Sequence, residues 1–375
     1  MNLSQNSTVQ LTELQILMLK AALLDEPQTR TAWHSLRSQI NLLTLDAWAN
    51  DLLSLIFRNL SQHHIDDPEL ERLKGIYRHH WVDTQLALSQ TVDMVTALEA
   101  AHVSTLLLES APLAERYYAD RGVRHTTVDV LVPTLQREQA LAVLRTLGWT
   151  FNQRRSPSVA TAAAMQLEHQ SSGRCAMLHW HVLADSCNLT GDQDFWAARV
   201  PFSLNNVQTT MLNPADELLR VCVNSARHNP AFTIRWLADA YKIIETTPDI
   251  DWGRVIEAAN KRNFTLAVSE ALQTLRAVFE LSVLDDVLQR LNTLPISQAE
   301  LRDQQIRHQT HEVRGLRFYL QEYYRLRLHS TAPAENLLLL DYLTQRLGLS
   351  HRYQLAGYFS HRLARRFKRK FSSTT

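Results

Sequence analysis

Residues 106–132, LLLESAPLAERYYADRGVRHTTVDVLV, constrain the fold of this chain more than any other stretch. An apolar run of strand length stops at a turn of small residues, Ser110 and Ala111. Ser110 and Pro112 suit the cap and first turn of a helix through Tyr118, because a hydroxyl satisfies a free N–H and proline has none to lose. A basic loop carrying Arg124 follows. Residues 126–132 are then rich in β-branched side chains and hold one acid, Asp129. Strand, helix and strand in so short a space require a sheet with helices packed on it.

The flanks read as helices. Residues 11–24 and 42–60 carry apolar side chains at helical spacing, with Leu52, Leu53, Ile56 and Leu60 on one face. Asp67-Pro68-Glu69 marks a helix start, and the helix runs through Trp81 towards Leu98. Pro133-Thr134 opens another with Leu141, Leu144 and Leu147 inward, stopped by Gly148. Residues 165–170 and 175–182 flank Ser171-Ser172-Gly173-Arg174, a hairpin signal. From Pro214 the pattern is helical again over 217–226, 233–244, 252–261 and 266–281, and it stays helical to Phe371. The expectation is an α+β fold in which a small mixed sheet is flanked by extensive helical regions. Its divisions are a helical region over 1–95, a core over 96–200, a helical domain over 201–290 and a C-terminal helical region over 291–375.

Composition narrows the function. A chain of 375 residues with formal charge +1 supports a large core and no strong pull on polyanions, so no specific nucleic-acid partner is expected. Nine glycines, singly placed, exclude a glycine-rich phosphate loop. No apolar run approaches the roughly 20 residues of a membrane span. The opening MNLSQNSTVQLTEL lacks the basic-then-apolar order of a secretory signal. Cys175, Cys187 and Cys222 form no C-x-x-C pair, which fits reduced thiols in a cytoplasm.

In order and content these segments resemble the uncharacterised bacterial nucleotidyltransferase family, distant kin of the DNA polymerase β-type nucleotidyltransferases. That family shows an apolar strand ending in Lys-Gly-small, a helix, and an Arg before Asp-hydrophobic-Asp-Leu-Leu-Val. A carboxylate-hydrophobic-His-Trp strand, Pro-x-Asp-Glu-Leu and Trp-Leu-x-Asp follow. Here the corresponding pieces are LLLESAPLAERYY, Arg124, Val128-Asp129-Val130-Leu131-Val132, Met177-Leu178-His179-Trp180 and Asp194-Phe195-Trp196. Pro214-Ala215-Asp216-Glu217-Leu218, Arg235-Trp236-Leu237-Ala238-Asp239 and Asp251-Trp252 complete the series. The resemblance covers roughly residues 96–281.

It implies nucleotidyl transfer from an NTP to a small-molecule or sugar-related acceptor. Mg²⁺ on strand carboxylates would neutralise the phosphates and the attacking and leaving oxygens. Asp129 becomes the metal ligand, with Thr127 two residues before it on the same strand face. Ser110, Ala111 and Arg124 become the nucleotide-binding set. The chain departs from the pattern at four positions: Thr127 and Met177 stand where acids belong, Glu109 replaces a lysine and Ser110 a glycine. Methionine is a soft, poor ligand for Mg²⁺, and a negative Glu109 opposes a phosphate. If the hairpin closes across 171–174, Glu168 faces Met177 and supplies a displaced catalytic carboxylate. A second function class therefore stands beside the first, a catalytically silent relative that binds a nucleotide, a peptide or a partner enzyme as an accessory in a biosynthetic pathway.

Other residues admit blander readings. Asp129 equally suits a structural strand acid, and Arg124 a partner for a surface acid. His179 and His181 share a strand face but lack a third ligand, so a structural role is favoured. His228 and Asp239 suit packing, and Trp180, Trp196, Trp236 and Trp252 suit core anchors. The doublets His63-His64 and His79-His80 diverge, which is poor metal geometry. The end, HRLARRFKRKFSSTT, interleaves Arg365, Arg366, Lys368, Arg369 and Lys370 with Phe367 and Phe371. It reads as a solvated helix end or as a peripheral contact with an anionic membrane.

Overall fold

Residue Thr12 begins the first helix by reciprocal capping: its hydroxyl accepts from Gln15 N–H, and the Gln15 side chain accepts from Thr12 N–H. The computed structural model describes residues 11–40, 47–151, 163–183, 191–225, 234–309 and, towards the C-terminus, 319–320, 323–324, 339–347, 349 and 351–360. Helices α1 (Glu13–Leu23), α2 (Gln28–Arg37) and α3 (Ala47–Gln62) precede the long α4 (Leu70–Ala100). Asp67 shapes the turn that leads into α4, its Oδ1 accepting from Glu69 N–H at 2.8 Å, and the helix itself opens later than expected, with Glu69 at the cap position.

The sheet is assembled from β1 (Leu106–Leu107), β2 (Val128–Leu131), β3 (Trp149–Thr150), β4 (Ala164–His169), β5 (Cys175–His179), β6 (Val200–Leu204) and β7 (Val207–Met211). Their spatial order is β3-β4-β5-β2-β1-β7-β6. β2 lies parallel to β5 and antiparallel to β1, and β7 lies parallel to β1, so the sheet is mixed. Between β1 and β2 come the short α5 (Ser110–Pro112) and a π-helical turn, Leu113–Tyr117. α6 (Arg137–Thr146) returns to β3, and α7 (Gln193–Ala197) precedes β6. Beyond the sheet, α8 (Pro214–Ser225), α9 (Arg235–Thr246), α10 (Trp252–Lys261), α11 (Thr265–Phe279), α12 (Leu284–Asn292) and α13 (Gln298–Gln309) follow. The fold is α+β.

Two parts differ from expectation. Helix resumes at Pro214 as expected, but the stretch from 201 that was grouped with the helical domain holds β6 and β7, a hairpin that joins the sheet. Its turn is Asn205-Asn206, both with positive φ (46° and 69°), the backbone of a two-residue hairpin turn. Second, the β4–β5 hairpin closes one residue earlier than the expected loop 171–174. His169 N–H donates to Arg174 O at 2.8 Å, and Gly173, at φ 65°, takes the left-handed position in the loop. The paired residues are therefore Gln166 with Met177 and Glu168 with Cys175. Pairing of Trp149 with His169 across β3 and β4 helps hold that register.

One continuous apolar core runs from Met18 in α1 through the sheet to Leu291 in α12. A separate C-terminal cluster gathers Tyr323, Tyr342, Leu343, Leu347 and Leu355. Among the described residues, no helix is long and apolar enough to cross a membrane.

Candidate functional site

The loop before β2 is fastened by the helices beneath it. Asp120 accepts from Tyr77 of α4 at 2.8 Å and pairs with Arg58 of α3 at 3.2 Å. Gly122 is required here, since a Cβ would lie 2.2 Å from the Tyr77 ring. Thr84 of α4 donates to the Arg124 carbonyl at 2.8 Å. The chain thus enters β2 with its phase set. Thr126 lies against Thr84, and alternation sends Thr127 and Asp129 to the opposite sheet face. A one-residue slip would put Val128 and Val130 in the polar row and drive the charged Asp129 in among the apolar side chains on the other face, so the register is strongly held.

On that face the expected residues do meet. Ser110 Oγ lies 3.0 Å from Thr127 Oγ1, and the Thr127 hydroxyl donates to Asp129 Oδ2 at 2.5 Å. His179 Nε2 lies 3.1 Å from Asp129 Oδ1, so that nitrogen carries the proton when the bond forms. Both oxygens of the buried Asp129 carboxylate are engaged. Beside it on β5 sits Met177, and beyond that Gln166 on β4. Glu168 does not join them. It shares the sheet face but lies opposite Cys175, two strands from Asp129 and roughly 7 Å further along, so the displaced-carboxylate expectation is corrected. Ser110 and Ala111 are both buried at the start of α5.

Below this row lies a layer of buried charge. Glu109, at the β1–α5 turn, has φ 52° and ψ −105°, a backbone region that non-glycine residues rarely occupy. Its carboxylate accepts from Arg220 Nη2 of α8. The Arg220 guanidinium holds the Glu109 carboxyl down at about 2, with His179 and Arg124 adding smaller effects in the same direction. Arg220 Nη1 lies 3.7 Å from Glu217 Oε1, too far for a hydrogen bond. The Glu217 side chain is 0% exposed and neither oxygen has a hydrogen-bond partner, and burial pushes its carboxyl up to about 7. Arg124 Nη1 donates to Asp239 Oδ2 at 2.5 Å, Tyr118 donates to Asp239 Oδ1 at 2.9 Å, and Arg235 stacks 4.9 Å over the Tyr118 ring. Asp239 is a buried hub, so Arg124 pairs with an interior acid rather than the surface acid envisaged from sequence.

Arg220 and Glu217 escaped the sequence reading as site residues. The available signal was the placement of Glu217 and Arg220 three apart on a helix whose residues 215–223 are all buried, since charge on such a helix needs an interior partner. Other candidates separate. His181 Nδ1 pairs with Asp192 Oδ2 at 2.7 Å, so His179 and His181 serve different carboxylates. His80 bonds Ser54 at 2.6 Å while His79 turns to Asp83 at 3.3 Å, the divergence expected of that doublet. Burial pushes His80 down to about 4. Trp180 is buried beneath the Arg137 guanidinium. His228, Cys187 and the basic tail over 365–371 lie outside the described residues.

As a Mg²⁺ site the set fits poorly. It offers one carboxylate, whose oxygens already accept two hydrogen bonds, the neutral hydroxyls of Ser110 and Thr127, the His179 imidazole and one thioether. Among the described residues, no three His, Cys, Asp or Glu side chains gather in a metal-holding group. What the arrangement offers chemically is a set of guanidiniums next to a partly open turn.

No curated protein and no solved structure matches this sequence. A family model described as uncharacterised nucleotidyltransferase matches residues 39–280, from before α3 through α11, and so takes in β1, β2, β5 and α8. The match spans well over half of the chain and contains every residue of the site just described. The chain belongs to the uncharacterised nucleotidyltransferase family.

Proposed function

We propose that this chain is a binding member of its family, which holds a nucleotide or similar phosphate-bearing ligand without Mg²⁺-dependent transfer and serves a biosynthetic pathway as an accessory. The observation that carries the proposal is the state of Asp129. Both its oxygens accept hydrogen bonds, from Thr127 and His179, and its strand neighbour is Met177. Two-metal transfer needs several hard oxygen ligands around the reacting phosphate. One satisfied carboxylate supplies too few. The exposed thiol Cys175 and the buried thiol Cys222, both free, agree with a cytoplasmic setting.

Calorimetry with ATP, GTP, CTP and UTP, in Mg²⁺ and in EDTA, tests this. Affinities should agree within about twofold between the two conditions, with no nucleotide transferred to any acceptor. Mg²⁺-dependent binding that Asp129→Asn abolishes would overturn the proposal and restore the transfer reaction. The complementary variant, Thr127→Asp with Met177→Asp, places two further carboxylates beside Asp129. It should acquire a stabilisation by Mg²⁺ that the parent lacks, about 2.7 kcal/mol once the ion is at 100 times its dissociation constant.

A further inference from the structure

We infer that the Glu109 carboxylate occupies an oxyanion subsite of this protein, in which Arg220 is the receptor and a phosphate group of the ligand takes the place of Glu109. The inference deepens the binding role proposed above and rests on it.

Four observations support the subsite. Arg220 is anchored on α8 with its side chain 4% exposed, and its Nε has no hydrogen-bond partner. A buried guanidinium with an unused N–H has capacity for a second acceptor, and its fork matches phosphate oxygens better than one carboxylate oxygen. Glu109, by contrast, is 35% exposed at a turn with an unfavourable backbone, so it can leave towards water while Arg220 cannot.

The third observation is the surroundings of that carboxylate. Besides Arg220, the His179 imidazole and the Arg124 guanidinium both favour its negative form. Arg124 Nε is likewise buried without a partner. Three basic groups from β5, the loop before β2 and α8 thus converge on one carboxylate.

The fourth is charge balance. Arg124, Arg220 and Arg235 face Asp239, Asp129 and Glu109, while Glu217, whose carboxyl oxygens have no hydrogen-bond partner, is held towards its neutral form by burial. With Glu109 in place, the three guanidiniums alone are matched by three carboxylates. With Glu109 turned out, one positive charge is left in a buried layer, and an uncompensated interior charge demands a counter-ion. A phosphate carries at least the charge that was removed and offers more oxygens.

The test is metal-free titration of the full chain with inorganic pyrophosphate, with ATP and with acetate, all in EDTA. Glu109→Gln should bind pyrophosphate about 10- to 100-fold more tightly than the parent, the size of a freed charge-assisted hydrogen bond. Acetate, which only repeats the displaced group, should gain far less. Pyrophosphate gaining as much as ATP assigns the subsite to phosphate alone, whereas a gain confined to ATP assigns it to the triphosphate of a nucleotide; either supports the inference. Adding Arg220→Gln to Glu109→Gln should remove the gain. If that double variant does not fold, the Arg220 Nε–H resonance of Glu109→Gln should move on adding pyrophosphate. Affinity within twofold of the parent, a gain that survives loss of Arg220, or an unmoved resonance would overturn the inference. None of these results depends on Mg²⁺ or turnover, so the accessory role stands or falls separately.

Discussion

Asp216 and Glu217 are neighbours on α8, both fully interior, and they face different parts of the molecule. Asp216 turns to the helices. Arg254 of α10 grips its two oxygens at 2.8 and 2.7 Å, Asn213 donates a further bond, and the same Arg254 reaches the Asp194 carbonyl at the start of α7. Arg262 continues the lock, donating to Asp194 Oδ1 at 2.5 Å. The Glu217 carboxyl, roughly 100° around the helix, has no hydrogen-bond partner on either oxygen. Its nearest cation, Arg220, is committed to Glu109. The first region is a closed lock that fixes α7, α8 and α10 to one another. The second is an open account of charge beneath the sheet, and only unsatisfied groups have capacity left for a ligand.

The largest effect should come from breaking the lock. Arg254→Met removes both guanidinium bonds to the Asp216 carboxylate at once and leaves a buried charge with Asn213 as its remaining side-chain donor, a change that typically costs about 3–5 kcal/mol. Urea unfolding at neutral pH should show a loss of that order. A loss below about 1 kcal/mol would mean that water or Asn213 compensates, and the contrast between the two regions would dissolve.

Glu217 sharpens the contrast through pH. Its carboxyl titrates near 7 in the folded chain because burial disfavours the charge, against 4.5 for the ordinary side chain. The folded form therefore holds a proton that the unfolded form releases, and stability falls as pH rises between about 4.5 and 7. The groups that modulate it are Arg220, Glu109, Asp239 and Arg124. Two and a half pH units correspond to about 3 kcal/mol, felt in full above pH 7. Glu217→Gln has no proton to lose. Relative to the parent it should gain stability from pH 5 to pH 8 by an amount of this order, read from chemical unfolding at the two pH values. Parallel curves for the two proteins would show that Glu217 stays ionised or hydrated.

How much of this was legible in the chain depends on how local each signal is. Residues 106–132 announced strand, turn, helix and strand, and the helices over 252–261 and after Asp67 needed only capping and periodicity. The β6–β7 hairpin was harder. Pro201 argues against a strand, and it is tolerated only because β6 is the sheet edge, which no local pattern reveals. Asn205-Asn206 was the missed clue, since asparagine accepts positive φ more readily than most residues. The β4–β5 register turned on a one-residue choice of loop that pairing with β3 helps to decide. Arg220 shows the limit most clearly. Its partner Glu109 lies 111 positions earlier, so sequence could expose Glu109 as a misfit but not the guanidinium that makes sense of it.

The smallest effect belongs to the sheet face, and its size discriminates between a packed acid and a reserved one. Asp129 is buried, but the Thr127 residue that donates to it is exposed. In Thr127→Val the β-branched shape is kept and the donor is lost, so water reaching the strand surface can replace it in part. We expect a loss of about 1 kcal/mol, at the low end for a bond to a charged acceptor. The variant also frees Asp129 Oδ2 while His179 retains Oδ1. If the hydroxyl only satisfies the acid, unfolding in Mg²⁺ and in EDTA will remain superimposable. If instead Mg²⁺ begins to stabilise Thr127→Val, the single remaining carboxylate is a competent ligand that Thr127 keeps occupied, and the poverty of the metal site lies in that one hydrogen bond rather than in the missing acids at 127 and 177.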